Sequence, residues 1–354
     1  MRATAPFLLL LVLAAAAASA SARPASAPTL AQLAGAHVLI RMRGPVPSAA
    51  LLARIRRGQV GGVVLFSNTI PPGGPLPLVR RLQAAARAGG QPPLLIAVDQ
   101  EGGGVKRLPG PPTDAPSQMG TASVAFAQGR ATGRYLHGLG VGVDLAPVLD
   151  VPLSQYAFIY ARAFSTDPAV VSRNGVAFAQ GLANGGVAAT AKHFPGLGRL
   201  GRSTDYGPGR LSTARAALAA RDLAPFRAAI DAGVPIIMVG TAVYPAYDSV
   251  PAATSPAVVN GLLRKTLGFE GVTMSDDLAT RGVSPWFDAG EATVRAVGAG
   301  IDLVYVAGNG GSGGYTVGDQ AYTALLKAAK SGRLSRPALE ASYARIVALR
   351  RRYD

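Results

Sequence analysis

The stretch Val187-Ala188-Ala189-Thr190-Ala191-Lys192-His193-Phe194-Pro195-Gly196-Leu197-Gly198 decides how this chain folds and where its chemistry sits. An apolar β-run from Val187 to Ala191 stops at a cation and an imidazole, and a Gly/Pro loop follows at once. Strand ends that open into loops are where α/β scaffolds present functional groups to solvent. The same pattern occurs upstream at Leu94-Leu95-Ile96-Ala97-Val98-Asp99-Gln100-Glu101-Gly102-Gly103. It recurs downstream at Gly271-Val272-Thr273-Met274-Ser275-Asp276-Asp277-Leu278. Three buried-looking strands, each ending in polar groups, imply one site built from distant pieces of chain.

Five further apolar runs complete the pattern. The full set is His37–Ile40, Gly62–Phe66, Leu94–Val98, Val143–Leu145, Ala188–Ala191, Pro235–Val239, Val272–Met274 and Leu303–Val306. They are continuous rather than alternating, as expected of strands covered on both faces in a parallel sheet. Helical patterns fill the gaps at Ala49–Arg57, Pro77–Ala88, Ala122–Leu139, Pro168–Asn184, Thr213–Ala232, Ser255–Thr266, Glu291–Ala299, Gly318–Ser331 and Arg336–Arg351. Eight strands alternating with helices predict a (β/α)8 TIM barrel. No G-x-G-x-x-G follows the first strand, and Gly102-Gly103-Gly104 lacks the Lys-Ser/Thr of a phosphate loop, so nucleotide-binding folds are disfavoured.

The chain has 354 residues, a length that admits two domains or one large α/β barrel. Arg2, the apolar run Phe7–Ala18 and the Ala-x-Ala sites at Ala18-Ser19-Ala20 and Ala20-Ser21-Ala22 read as a secretory signal over residues 1–22. The run is too short and too rich in small residues for a membrane span. A short Pro/Ala/Ser tether over 23–30 and a single domain over 31–354 follow, and the mature protein is expected to be exported without membrane insertion. With no cysteine there is no disulfide and no thiolate metal site. The net charge of +16 suits an anionic neighbourhood such as cell-wall polymer, although nearly all the cations are Arg, as a nucleotide-composition bias would also give. The Arg residues are scattered without interleaved aromatics, which argues against nucleic acid.

The strand tips define the candidate residues. Asp276 ends the seventh strand and Asp277 follows; neighbouring side chains on a strand point to opposite sides, so one faces the mouth and the other is free to cap the next helix. Asp99 ends the third strand, with Glu101, Lys106 and Arg107 behind it in what also reads as a solvated ionic loop. Lys192-His193 offers a general acid and its partner, a Schiff-base amine or a pair of hydrogen-bond donors. His193 is the one of three histidines at a strand-to-loop junction, and no two-His spacing supports a metal site. Arg162 follows the fourth strand and its Pro147–Asp150 extension, and Asp205 lies in the glycine-rich loop 198–207 after the fifth.

In combination these segments resemble glycoside hydrolase family 3, specifically its single-domain bacterial β-N-acetylglucosaminidase (β-N-acetylhexosaminidase) branch. The carriers are Gly61–Phe66, Val98–Gly103, Ala146–Val151, Arg162-Ala163-Phe164, Lys192–Gly196 and Ser275–Leu278, six segments in the family's order. The resemblance implies Asp276 as catalytic nucleophile, with Asp99, Arg107, Arg162, Lys192 and His193 binding sugar, and no cofactor. It implies hydrolysis of terminal β-linked N-acetylglucosamine from peptidoglycan-derived glycans through a covalent intermediate. Retention needs an ionised nucleophile and a proton donor about 5 Å away.

One departure matters. The family branch carries Asp-x-His in the loop after the fifth strand, whereas this chain has Ser203 and Asp205 at those positions. Leu197 and Gly104 also replace a family His and Arg. The expected acid/base is therefore Asp205, provided burial or negative charge lifts its pKa and Arg199 and Arg202 keep their distance. A carboxylate there repels phosphate, which favours water as glycosyl acceptor. A sugar-binding barrel without turnover and a β-glucosidase or β-xylosidase remain as alternatives.

Overall fold

The computed structural model describes residues 27–307 and 314–353. The assigned signal peptide and residues 23–26 of the tether lie outside the described residues. Every apolar run of the sequence becomes a strand: β1 Val38–Arg41, β2 Gly62–Leu65, β3 Leu95–Val98, β4 Val143–Asp144, β5 Ala188–Phe194, β6 Ile236–Val239, β7 Val272–Ser275 and β8 Val304–Val306. They form one parallel sheet in the order β8-β1-β2-β3-β4-β5-β6-β7. A Met274–Leu303 bridge, with Ser275 N–H donating to Leu303 O at 2.9 Å, brings β7 back to the β8 segment. The architecture is the expected (β/α)8 barrel.

The continuous apolar character has a simple origin. Val38, Ile40, Val63, Leu65, Ile96 and Val98 pack outward into the core shared with the helices. The alternate residues Leu39, Val64, Leu95, Ala97, Val143, Ala188, Met238 and Met274 fill the barrel interior in a second cluster. Apolar side chains dominate both faces up to the strand tips, with Asp144, Thr190 and Thr273 as buried polar exceptions.

Helices begin where sequence chemistry satisfies their free N–H groups. Ser48, Thr121, Asp167, Asp288 and Ser335 each cap a helix through a side-chain oxygen. Two features depart from the sequence reading. A short helix, Leu30–Ala36, precedes β1, closed by a Thr29/Gln32 capping box. The pattern over 213–232 is interrupted by a π segment, Leu218–Asp222, which places the carboxylate of Asp222 in the core. Among the described residues no helix is long and apolar enough to cross a membrane.

Candidate active site

Extending the inward-facing series two residues past the barrel interior gives the wall of a cavity at the C-terminal ends of the strands. Leu39 leads to Arg41, Val64 to Phe66, Ala97 to Asp99, Thr190 to Lys192, Met274 to Asp276 and Tyr305 to Ala307. All of these line one cavity of about 260 Å³, together with Arg107, Arg162, His193 and Asp205. The seven residues singled out from sequence thus converge. Alternation places the inward residues, and the same period-2 rule that hides apolar groups lower down presents charge at the top.

β5 runs two turns of the pleat further than its apolar residues suggest, through Lys192 and His193 to Phe194, and the Lys192–His193 peptide is cis. Lys192 Nζ meets Asp99 Oδ1 at 2.8 Å and Glu101 Oε1 at 2.7 Å. Arg162 clamps Glu101 in a two-pronged pair of 2.7 and 2.9 Å, and Arg107 approaches Asp99 at 3.4 Å. Glu101 is carried there by a small hairpin, Gln100–Gly102 against Val105–Lys106, rather than by a solvated loop. Burial alone would raise Glu101, but Arg162 and then Lys192 overcome it and hold the carboxyl down at about 2. Burial likewise opposes the Lys192 ammonium, and Asp99 and Glu101 reverse that, so it is held above its ordinary range. The network is charged throughout and fixed before any ligand arrives.

His193 is oriented by Asp150, whose Oδ2 lies 2.7 Å from Nδ1, while Leu197 N–H donates to the other oxygen at 2.6 Å. This leaves Nε2 of the imidazole for the cavity.

Three carboxyls gather opposite the cations. The Asp276 N–H donates to Val239 O at 2.8 Å, which registers its side chain against β6. Asp277 does not cap a helix: the next one starts at Ala289 with Asp288 as its cap. Its Oδ1 instead accepts N–H groups of Ala279 and Ala307, both at 2.9 Å, tying the β7 tip to the end of β8. Burial, aided by Asp276 and Asp205 and opposed by those N–H groups, pushes Asp277 up to about 7.

Asp205 is raised too, first by burial and then by the Asp276 charge, against the pull of Ser203, His193 and Arg162. Arg199 does not reach it, because it pairs with buried Asp222 at 2.9 Å. Thr204 anchors the loop beneath through a 2.9 Å hydroxyl contact with Thr241. The arrangement offers a carboxylate and a carboxyl of raised pKa in one concave, polar site.

Four contributors were not picked out from sequence. Glu101 and Asp150 were visible as strand-extension acids, but nothing local says which cation each meets. Arg41 stacks over Phe66, its guanidinium 4.0 Å from the ring centroid, and both were passed over because β1 and β2 end in ordinary-looking residues. The inward-series count described above would have found them.

Comparison with known proteins agrees with this geometry. The glycosyl hydrolase family 3 N-terminal domain profile matches residues 29–349. An uncharacterized secreted glycosyl hydrolase of Arthroderma benhamiae is 34% identical over 342 residues, covering 94% of this chain and 96% of that protein. A beta-hexosaminidase of Xanthomonas oryzae pv. oryzae is 37% identical over 283 residues, covering 76% and 83%. The family 3 beta-N-acetylglucosaminidase from Paenibacillus sp. str. FPU-7 superposes with a TM-score of 0.87 at 34% identity. That alignment covers 92% of this chain but spans only 63% of the Paenibacillus protein. A barrel whose strand tips gather these carboxyls and cations, matched over residues 29–349 by the family profile, belongs to glycosyl hydrolase family 3, and the chain is a glycoside hydrolase.

Proposed function

We propose that the chain is a retaining β-N-acetylhexosaminidase that releases terminal β-linked N-acetylglucosamine, acting outside the cytoplasm on glycans derived from peptidoglycan. The observation that carries the reading is the shared cavity of Asp276 and Asp205, with Asp205 raised by burial and by the Asp276 charge. Relatives called beta-hexosaminidase and beta-N-acetylglucosaminidase support the choice of sugar. The relative described as secreted supports export, and the basic charge favours contact with an anionic wall.

In the proposed mechanism Asp276 attacks the anomeric carbon while Asp205 gives its proton to the departing glycosidic oxygen, leaving a glycosyl-Asp276 ester. Asp205, now ionised, takes a proton from water, whose oxygen attacks the same carbon and frees Asp276. The proton lent in the first step is recovered in the second. Asp99, Arg107, Arg162, Lys192 and His193 hold the sugar hydroxyls, and their contacts with one another and with Glu101 and Asp150 fix the pose beforehand. Hydrolysis of an aryl β-N-acetylglucosaminide by the wild type and by Asp276→Ala tests the reading: loss of turnover by several orders of magnitude is expected. Equal turnover by both proteins overturns the nucleophile assignment, and faster cleavage of a β-glucoside overturns the sugar.

A further inference from the structure

Large apolar side chains exposed at the surface are few among the described residues: Val46, Val124, Leu153, Tyr156, Tyr160 and Tyr206. Four of these six lie on two consecutive loops, those that follow β4 and β5. Tyr156 is 84% exposed and Tyr206 71%. The same loops send Phe158, Arg162, Ser203 and Asp205 into the cavity wall, so the exposed rings stand beside its mouth. The loops are joined where Leu153 N–H donates to Gly198 O at 3.1 Å. Exposed apolar surface concentrated in one place marks a binding face.

Its position identifies the occupant. On the proposed function, on which this inference rests, Asp205 protonates the glycosidic oxygen, so the surface next to Asp205 is the leaving-group side. Tyr206 is the next residue in the chain, and its backbone N–H turns back to Ser203 O at 3.3 Å. The C–H-rich face of a pyranose carries positive hydrogens that complement the negative face of an aromatic ring, and Tyr adds a polar tip for hydroxyls. We propose that Tyr206, Tyr156 and Tyr160 form a stacking platform for the sugar on the leaving side of the cleaved bond. The preferred substrate is then an oligosaccharide rather than a glycoside of a small alcohol.

The test compares a β-1,4-linked N-acetylglucosamine trisaccharide with β-N-acetylglucosaminyl fluoride, whose leaving group is too small to reach the platform. For Tyr206→Ala and Tyr156→Ala the ratio of kcat/KM on trisaccharide to that on fluoride should fall about tenfold, mainly through KM. Tyr206→Phe, which keeps the ring, should hold the ratio within about twofold of wild type. An unchanged ratio in both Ala variants, or an equal fall with Phe, overturns stacking. Should the Ala variants leave the ratio unchanged and instead dissociate an oligomer in sedimentation, the face serves self-association and the platform is rejected. If the wild type cleaves neither compound, the hexosaminidase reading itself fails, which is a separate result.

Discussion

Lys192 Nζ lies 2.7 Å from Glu101 Oε1, and the two side chains are 2% and 1% exposed. A strand tip and a neighbouring hairpin are thereby locked through full charges out of water. Removing the Glu101 charge leaves Arg162 without its carboxylate partner and Lys192 with Asp99 alone, and an uncompensated buried charge is costly. Glu101→Gln should therefore destabilise the fold by about 3–5 kcal/mol, although Gln nearly matches the volume. Urea denaturation of wild type and variant at pH 7 measures the difference, and a loss below about 1 kcal/mol would show that water relieves Lys192 and Arg162.

The same acid sets a pH dependence. Glu101 sits at about 2 in the fold against an ordinary value of 4.5, so the fold favours its ionised form. Its contribution is fully present above 4.5 and is lost as pH falls through that window toward 2. Wild-type stability should drop progressively below pH 4.5, and the Glu101→Gln curve should run flatter there. Parallel curves would locate acid sensitivity in other carboxylates.

Asp205 differs in sign: burial and the neighbouring Asp276 charge favour its protonated form. Activity that needs the acid should fall on the alkaline side, at a pH above that of an ordinary carboxyl. Asp205→Asn should lose about 10²–10⁴-fold in rate on substrates with alkoxide leaving groups and far less in the first step on activated aryl glycosides. That limb of the pH profile should also disappear. Equal losses on both substrate types would remove Asp205 from the acid role.

The barrel and the mouth of the site were legible because one rule governs both. Burial on two faces makes each strand a short, mostly apolar run, and the charged residue that ends the run is a wall residue; Asp99, Lys192 and Asp276 were found as such run ends. Glu101 and Asp150 were not, because their partners Lys192, Arg162 and His193 are some 40 to 90 residues away in the chain. Only the closing of β3, β4 and β5 side by side brings them together. Asp277 misled for the opposite reason: the period-2 rule stops where the strand does, and backbone N–H groups of Ala279 and Ala307 then decide where the carboxyl goes.

Asp277 also supplies a stability test. It sits at about 7 against an ordinary 3.8, so the fold favours its neutral form. The benefit is complete below 3.8 and is lost as pH rises through 7. Asp277→Asn keeps an oxygen for the two N–H groups but never ionises. Relative to wild type, the variant should gain on the order of 3 kcal/mol between pH 4 and pH 8. Thermal or urea unfolding at both pH values reads this, and a difference that does not change with pH would place the carboxyl in contact with water.

Gly198 tests how the two mouth loops are held together. A Cβ built there would collide with the Val151 carbonyl, which is backbone and has nowhere to move. In the same place Gly198 O accepts the Leu153 N–H. Gly198→Ala must therefore push the β4 and β5 loops apart, at a cost of about 1–3 kcal/mol, the usual penalty of overpacking. The separation moves Asp205 relative to Asp276, so kcat should fall more than the stability loss alone explains at temperatures where the variant is fully folded. A variant that is destabilised yet turns over aryl glycoside at the wild-type rate would show that the loops adjust independently of the acid.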